Sequence, residues 1–78
     1  MITVKLFGIA KDIIGSSTLN IEHELATVED LLIYLKSEYP KFKEVTSLLV
    51  AINDEYANST AILNNEDEVA LIPPVSGG

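Results

Sequence analysis

Asp67-Glu68-Val69-Ala70-Leu71-Ile72-Pro73-Pro74-Val75-Ser76-Gly77-Gly78 changes character halfway along. Glu68–Ile72 is apolar and follows a polar turn, Asn64-Asn65-Glu66-Asp67, so it reads as a strand. Neither Pro73 nor Pro74 can donate to a sheet ladder, and the strand stops there. Their fixed φ carries the backbone off the sheet in an extended, polyproline-like course. Gly77 and Gly78 have no Cβ, so this end can thread a channel that any side chain would block. It presents one distinctive group, the α-carboxylate of Gly78. A carboxylate is a poor electrophile until ATP turns it into an acyl adenylate, which then accepts sulfide, a thiol or an amine. The segment predicts a folded body over residues 1–72 and a flexible tail over residues 73–78.

Outward from that strand, the other elements follow from spacing. At the start of the chain, Ile2, Val4 and Leu6 alternate with Thr3, Lys5 and Phe7, the pattern of a half-buried strand. Phe7 falls on the wet face, where it is out of place. Residues 9–14 predict a helical turn closed by Gly15. Ser17–Glu22 reads as a weaker strand, in which Leu19 and Ile21 fit the alternation poorly. Thr27 caps the clearest helix, Glu29 and Asp30 sit at its positive end, and Val28, Leu31, Leu32 and Leu35 form one apolar stripe. Pro40 ends it. Leu48–Ile52 is a continuous apolar run bounded by Asn53-Asp54, which predicts a buried central strand, and a weak strand follows around Ala61-Ile62-Leu63. Five strands and one main helix predict an α+β domain of two layers, with one sheet face left open to water or to a partner.

Composition narrows the chemistry. A chain of 78 residues makes one domain, and its 47% hydrophobic content supplies a packed core. There is no Cys, hence no thiol nucleophile, disulfide or thiolate metal site. The lone His23, in Glu22-His23-Glu24, cannot build a metal centre by itself and reads as a solvated loop residue. The net charge of −7, from 12 acids against 5 lysines, repels nucleic acid and anionic membranes and favours a basic partner surface. Lys36, Lys41 and Lys43 read as exposed, and Asp54-Glu55 as a solvated turn. The N-terminus lacks the pattern of a signal peptide and no segment is long enough to span a membrane, so a cytoplasmic location is expected.

The closing segment resembles the C-terminus of the small, sulfur-carrying subunit of molybdopterin synthase, a ubiquitin-like family. Val4-Lys5-Leu6-Phe7-Gly8 and Val50-Ala51-Ile52-Asn53 are similar to that family too, and the resemblance spans the chain. It implies a β-grasp fold: a mixed sheet, one main helix on one face, and parallel neighbouring first and last strands. Val4, Leu6, Val69 and Leu71 then share the covered face, leaving Phe7, Ala70 and Ile72 on the open one where the tail departs. A ubiquitin-activating-like enzyme would use ATP to adenylate Gly78. A sulfur donor, a sulfurtransferase or cysteine desulfurase, would convert it to a thiocarboxylate. The tail would enter the synthase large subunit and give its sulfur to cyclic pyranopterin monophosphate, as a co-substrate with no catalytic side chain, bound cofactor or metal of its own. Phe7, Ala70, Ile72, Pro73, Pro74, Val75, Ser76 and Gly77 are the partner-binding residues this implies. Where the family has Gly before Asp-Glu-Val-Ala, this chain has Glu66, so a left-handed residue is expected at Asn64 or Asn65 instead. The acids Glu66-Asp67-Glu68 read as a solvated turn that also offers a contact for basic residues of the activating enzyme.

Three other functions use the same features. A sulfur carrier for thiamine synthesis shares the fold and tail. A ubiquitin-like modifier would join Gly78 to target lysines. A plain binding module would work without the tail.

Overall fold

The computed structural model describes residues 1–45 and 48–73. Strand β1 is Ile2–Leu6, helix α1 Gly8–Ile14, β2 Thr18–Ile21, helix α2 Val28–Glu38, β3 Leu49–Ile52, β4 Glu55–Ala57 and β5 Glu68–Ile72, with a 3₁₀ helix over Pro40–Glu44. The sheet order is β2-β1-β5-β3-β4. β1 and β5 run parallel, Val4 beside Val69 and Leu6 beside Leu71, and the other pairs are antiparallel. This is the β-grasp arrangement.

Alternation decides the faces. Ile2, Val4, Leu6, Val69 and Leu71 are buried, and they meet Val28, Leu31 and Leu35 of α2. The Thr27 hydroxyl accepts from the Asp30 N–H, and the Asp30 carboxylate accepts from the Thr27 N–H. This reciprocal box satisfies donors that a helix start otherwise leaves open, at about 1 kcal/mol for such a cap. Gly15 closes α1 in the left-handed region, φ 84°. Among the described residues no polar or charged side chain is buried, so apolar packing carries the core.

Five details depart from the sequence expectations. Leu19 and Ile21 lie two apart on one face of β2, and both pack on the core. Pro40 stops α2 but also begins the 3₁₀ helix, which drives Phe42 into the core. The run at Leu48–Ile52 yields an interior strand beside the central β5, and its Leu49 is half exposed. The weak strand is Glu55–Ala57 rather than 61–63, because Asn53 and Asp54 both take positive φ (50° and 72°) and fold a tight hairpin. Ala61-Ile62-Leu63 contributes only an isolated bridge from Ile62 to Thr27.

The left-handed residue expected at Asn64 or Asn65 is also absent: among the described residues, positive φ occurs at Gly8, Gly15, Asn53 and Asp54. Asp67 closes that turn instead. Its carboxylate accepts from the Asn64 N–H at 2.8 Å and from Asn53 Nδ2 at 3.0 Å, and its own N–H donates to the Asn64 carbonyl.

Candidate functional site

The site is the end of the sheet where β1 and β5 stop together. Leu6 pairs with Leu71, so Phe7 and Ile72 continue the two strands on the open face. Phe7 is 49% exposed, and its extended backbone caps α1, with its carbonyl accepting from the Ala10 N–H at 3.1 Å. Ile72 and Ala70 are half buried. One residue further, Pro73 turns inward against Gly8, which stays exposed. Gly8 has φ +56°, and a Cβ placed on it would lie 3.2 Å from Cγ of Pro73, which is itself buried. The structure thus brings Phe7, Ala70, Ile72 and Pro73 together. Pro74, Val75, Ser76, Gly77 and Gly78 lie outside the described residues.

The open face holds more apolar surface than the sequence announces. β3 sets Leu49 beside Ile72 and Ala51 beside Ala70, and β4 sets Tyr56 beside Ala51. Leu49 is 50% and Tyr56 75% exposed. Leu49 was hidden in a run that reads as core throughout, and Tyr56 belongs to a strand that only the Asn53-Asp54 turn could reveal. Together with Phe7, these side chains form an apolar stretch of the kind that marks interaction surfaces. Toward the start of β1 the same face turns polar: Lys5 and Glu68 approach to 3.4 Å, an exposed pair of small energetic weight.

Charge is segregated along the strands. Lys11, Lys36, Lys41 and Lys43 fall on α1, the last turn of α2 and the 3₁₀ helix, around the end where β5 stops, with three acids, Asp12, Glu38 and Glu44, on the same elements. Glu22, Glu24, Asp54, Glu55 and the turn acids Glu66 and Asp67 gather at the opposite end. The face around the tail exit therefore escapes most of the negative charge of this chain. His23 stacks on Tyr34 with centroids 5.2 Å apart, in keeping with a surface packing role. No helix among the described residues is long and apolar enough to cross a membrane.

Residues 4–78 match the model of the ThiS family. A molybdopterin synthase sulfur carrier subunit of Arabidopsis thaliana is 38% identical over 79 residues, covering 99% of this chain and 82% of that one. Among solved structures, SAMP1 from Haloferax volcanii superposes with a TM-score of 0.84 at 32% identity, over 99% of this chain and 98% of that one. A putative molybdopterin converting factor subunit 1 from Pyrococcus furiosus superposes with a TM-score of 0.86 at 28% identity, over 95% and 97%.

Proposed function

The chain belongs to the ThiS family, and from that premise we propose that it is the sulfur carrier of molybdopterin synthase, with Gly78 as the carrying residue. The observation that carries this reading is the 38% identity, over 99% of this chain, to a protein named a molybdopterin synthase sulfur carrier subunit, beside the match of residues 4–78 to the ThiS family. The chemistry supports it: no side chain here could hold a persulfide, since Cys is absent, whereas an activated terminal carboxylate can hold sulfur. The Gly78 carboxylate attacks ATP in an activating enzyme, giving the acyl adenylate and pyrophosphate. Hydrosulfide adds to the acyl carbon and AMP leaves, giving a thiocarboxylate with no change in redox state; where the donor protein carries a persulfide, a second thiol supplies the two electrons and leaves as a disulfide. In the large subunit the thiocarboxylate sulfur bonds to a carbon of the pterin substrate, and water then cleaves the acyl–sulfur bond, restoring the Gly78 carboxylate for the next charge. ATP belongs to the activating enzyme.

Intact mass of this chain, incubated with the activating enzyme, ATP and a sulfur source, tests the reading. A species heavier by one oxygen-to-sulfur exchange, mapped to Gly78, is expected. A plain carboxylate on every molecule overturns it.

Phe7, Ala70, Ile72 and Leu49 form the docking face for the large subunit in this reading. Phe7→Asp is expected to weaken that complex at least tenfold, since a buried aromatic anchor is worth roughly 2 kcal/mol or more. The substitution leaves the melting temperature close to wild type, because Phe7 is half exposed and Asp suits the N-cap it occupies. Titration calorimetry beside a thermal melt reads both, and unchanged affinity would remove Phe7 from the interface.

The likeness to SAMP1, a protein named small archaeal modifier protein 1, favours one second reading, in which the same activated Gly78 is passed to lysines of target proteins. Lysine-linked adducts of this chain in cells would establish it.

A further inference from the structure

We propose that Gly8 is a positioning residue for sulfur delivery: by leaving room for the Pro73 ring, it sets the direction in which the chain departs from β5. The inference rests on the sulfur-carrier reading above.

The β1–β5 ladder fixes both strands as far as Leu6 beside Leu71. Beyond that pair, direction is decided by how the two ends pack. Phe7 and Ile72 turn toward the open face, while Pro73 is buried and packs its ring against Gly8, which is itself exposed. A Cβ at position 8 would stand 3.2 Å from Cγ and 3.9 Å from Cδ of Pro73. Carbon atoms ordinarily approach to about 3.5–4.0 Å, so one partner has to move. A long flexible side chain could swing away, but a proline ring is tied to its own backbone nitrogen. The contact asks for a few tenths of an ångström: Cγ yields part of it by a change of ring pucker, and the rest passes into the main chain at Pro73, five residues before Gly78.

The chain contains its own control. Gly15 also has positive φ, +84°, but nothing lies within 4 Å of where its Cβ would be. Alanine at either position meets a left-handed backbone, yet only alanine at position 8 meets Pro73. The two variants separate backbone strain from crowding.

Gly8→Ala and Gly15→Ala are compared with wild type as charged thiocarboxylate, in single-turnover sulfur transfer with the large subunit. Both melt lower than wild type. Gly8→Ala is expected to transfer sulfur roughly tenfold more slowly once bound, since misplacing a reacting group by about 1 Å can cost as much as 100-fold. Gly15→Ala keeps the wild-type rate. In the Pro73→Ala background, where Cγ and Cδ are gone, the further loss caused by Gly8→Ala shrinks to less than twofold, a coupling that a double-mutant cycle reads directly. Independently of sulfur chemistry, the amide resonances of residues 75–78 shift in Gly8→Ala and hold in Gly15→Ala. Equal rates in the two glycine variants, or an undiminished Gly8→Ala loss in the Pro73→Ala background, overturn the proposal. A wild-type chain that cannot be charged overturns the sulfur-carrier reading, and the resonance comparison still reports whether Gly8 steers the chain.

Discussion

Removing Gly77 and Gly78 is expected to abolish sulfur transfer while leaving the folded body intact. In the proposed function the reacting group belongs to Gly78, and no side chain can stand in for it, since the chain has no Cys. With the carrier disabled, the pterin substrate could draw only on free sulfide. A reactant held in place reaches effective concentrations of about 10⁵ M or more, so the rate falls by at least ~10³-fold. Stability should not follow. The buried core runs from Ile2 to Leu71, and β5 stops at Ile72. Coupled synthase turnover and thermal denaturation of the same truncated chain give the two readings. Retained turnover would mean that a plain binding module, with no tail chemistry, describes the protein better.

The largest effect on stability is expected at Leu71. It is fully buried in the central strand, between Leu6 of β1 and Val50 of β3. Leu→Ala in such a place costs about 2–5 kcal/mol, through lost transfer energy and a cavity that neighbours fill incompletely. A domain of this length has about 4–12 kcal/mol in total, from roughly 0.05–0.15 kcal/mol per residue. Leu71→Ala should therefore lower the melting temperature by roughly 10–30 °C. Ile72, the next residue, faces the other side and is half buried. Ile72→Ala should change the melting temperature of the isolated chain far less. A larger drop at Ile72 than at Leu71 would invert the assignment of the two sheet faces.

Those faces were legible before any coordinates. Period-two spacing in Ile2-Val4-Leu6 and in Val69-Leu71, and helical spacing in Val28-Leu31-Leu35, each mark a single buried side, and all three agree with the packing. The Thr27 cap was legible for the same reason: it is local chemistry between residues three apart. What escaped depended on pairings that local pattern does not encode. Tyr56 sits on a three-residue strand that exists because Asn53 and Asp54 both accept a left-handed backbone. The apolar triplet Ala61-Ile62-Leu63 offered the stronger hydrophobic signal, yet Ile62 is 73% exposed. Leu49 reads as core in a run of apolar residues, and only its register against Ile72 turns it outward. Asp67 replaced the expected left-handed asparagine with hydrogen bonds from its side chain, an alternative that composition does not announce. The chemistry proposed at Gly78, by contrast, rests on the sequence, since that residue lies outside the described residues.

The parallel pairing of β1 with β5 also bears on how the molecule is made. Thr3 finds its partner at Glu68, so the middle of the sheet joins the two most distant parts of the body. Contacts of such long separation form late. A ribosome that has synthesised only as far as Asp67 has produced β1 to β4 without the strand that binds β1 to β3. The nascent chain cannot close its core until β5 has emerged, and the residues that follow β5 leave the tunnel directly behind it. A product that stops short of β5 stays unfolded and open to proteolysis. Folding thus acts as a length check: a chain that displays the finished open face of the sheet has been translated through Ile72, to within a few residues of the glycine proposed to carry sulfur.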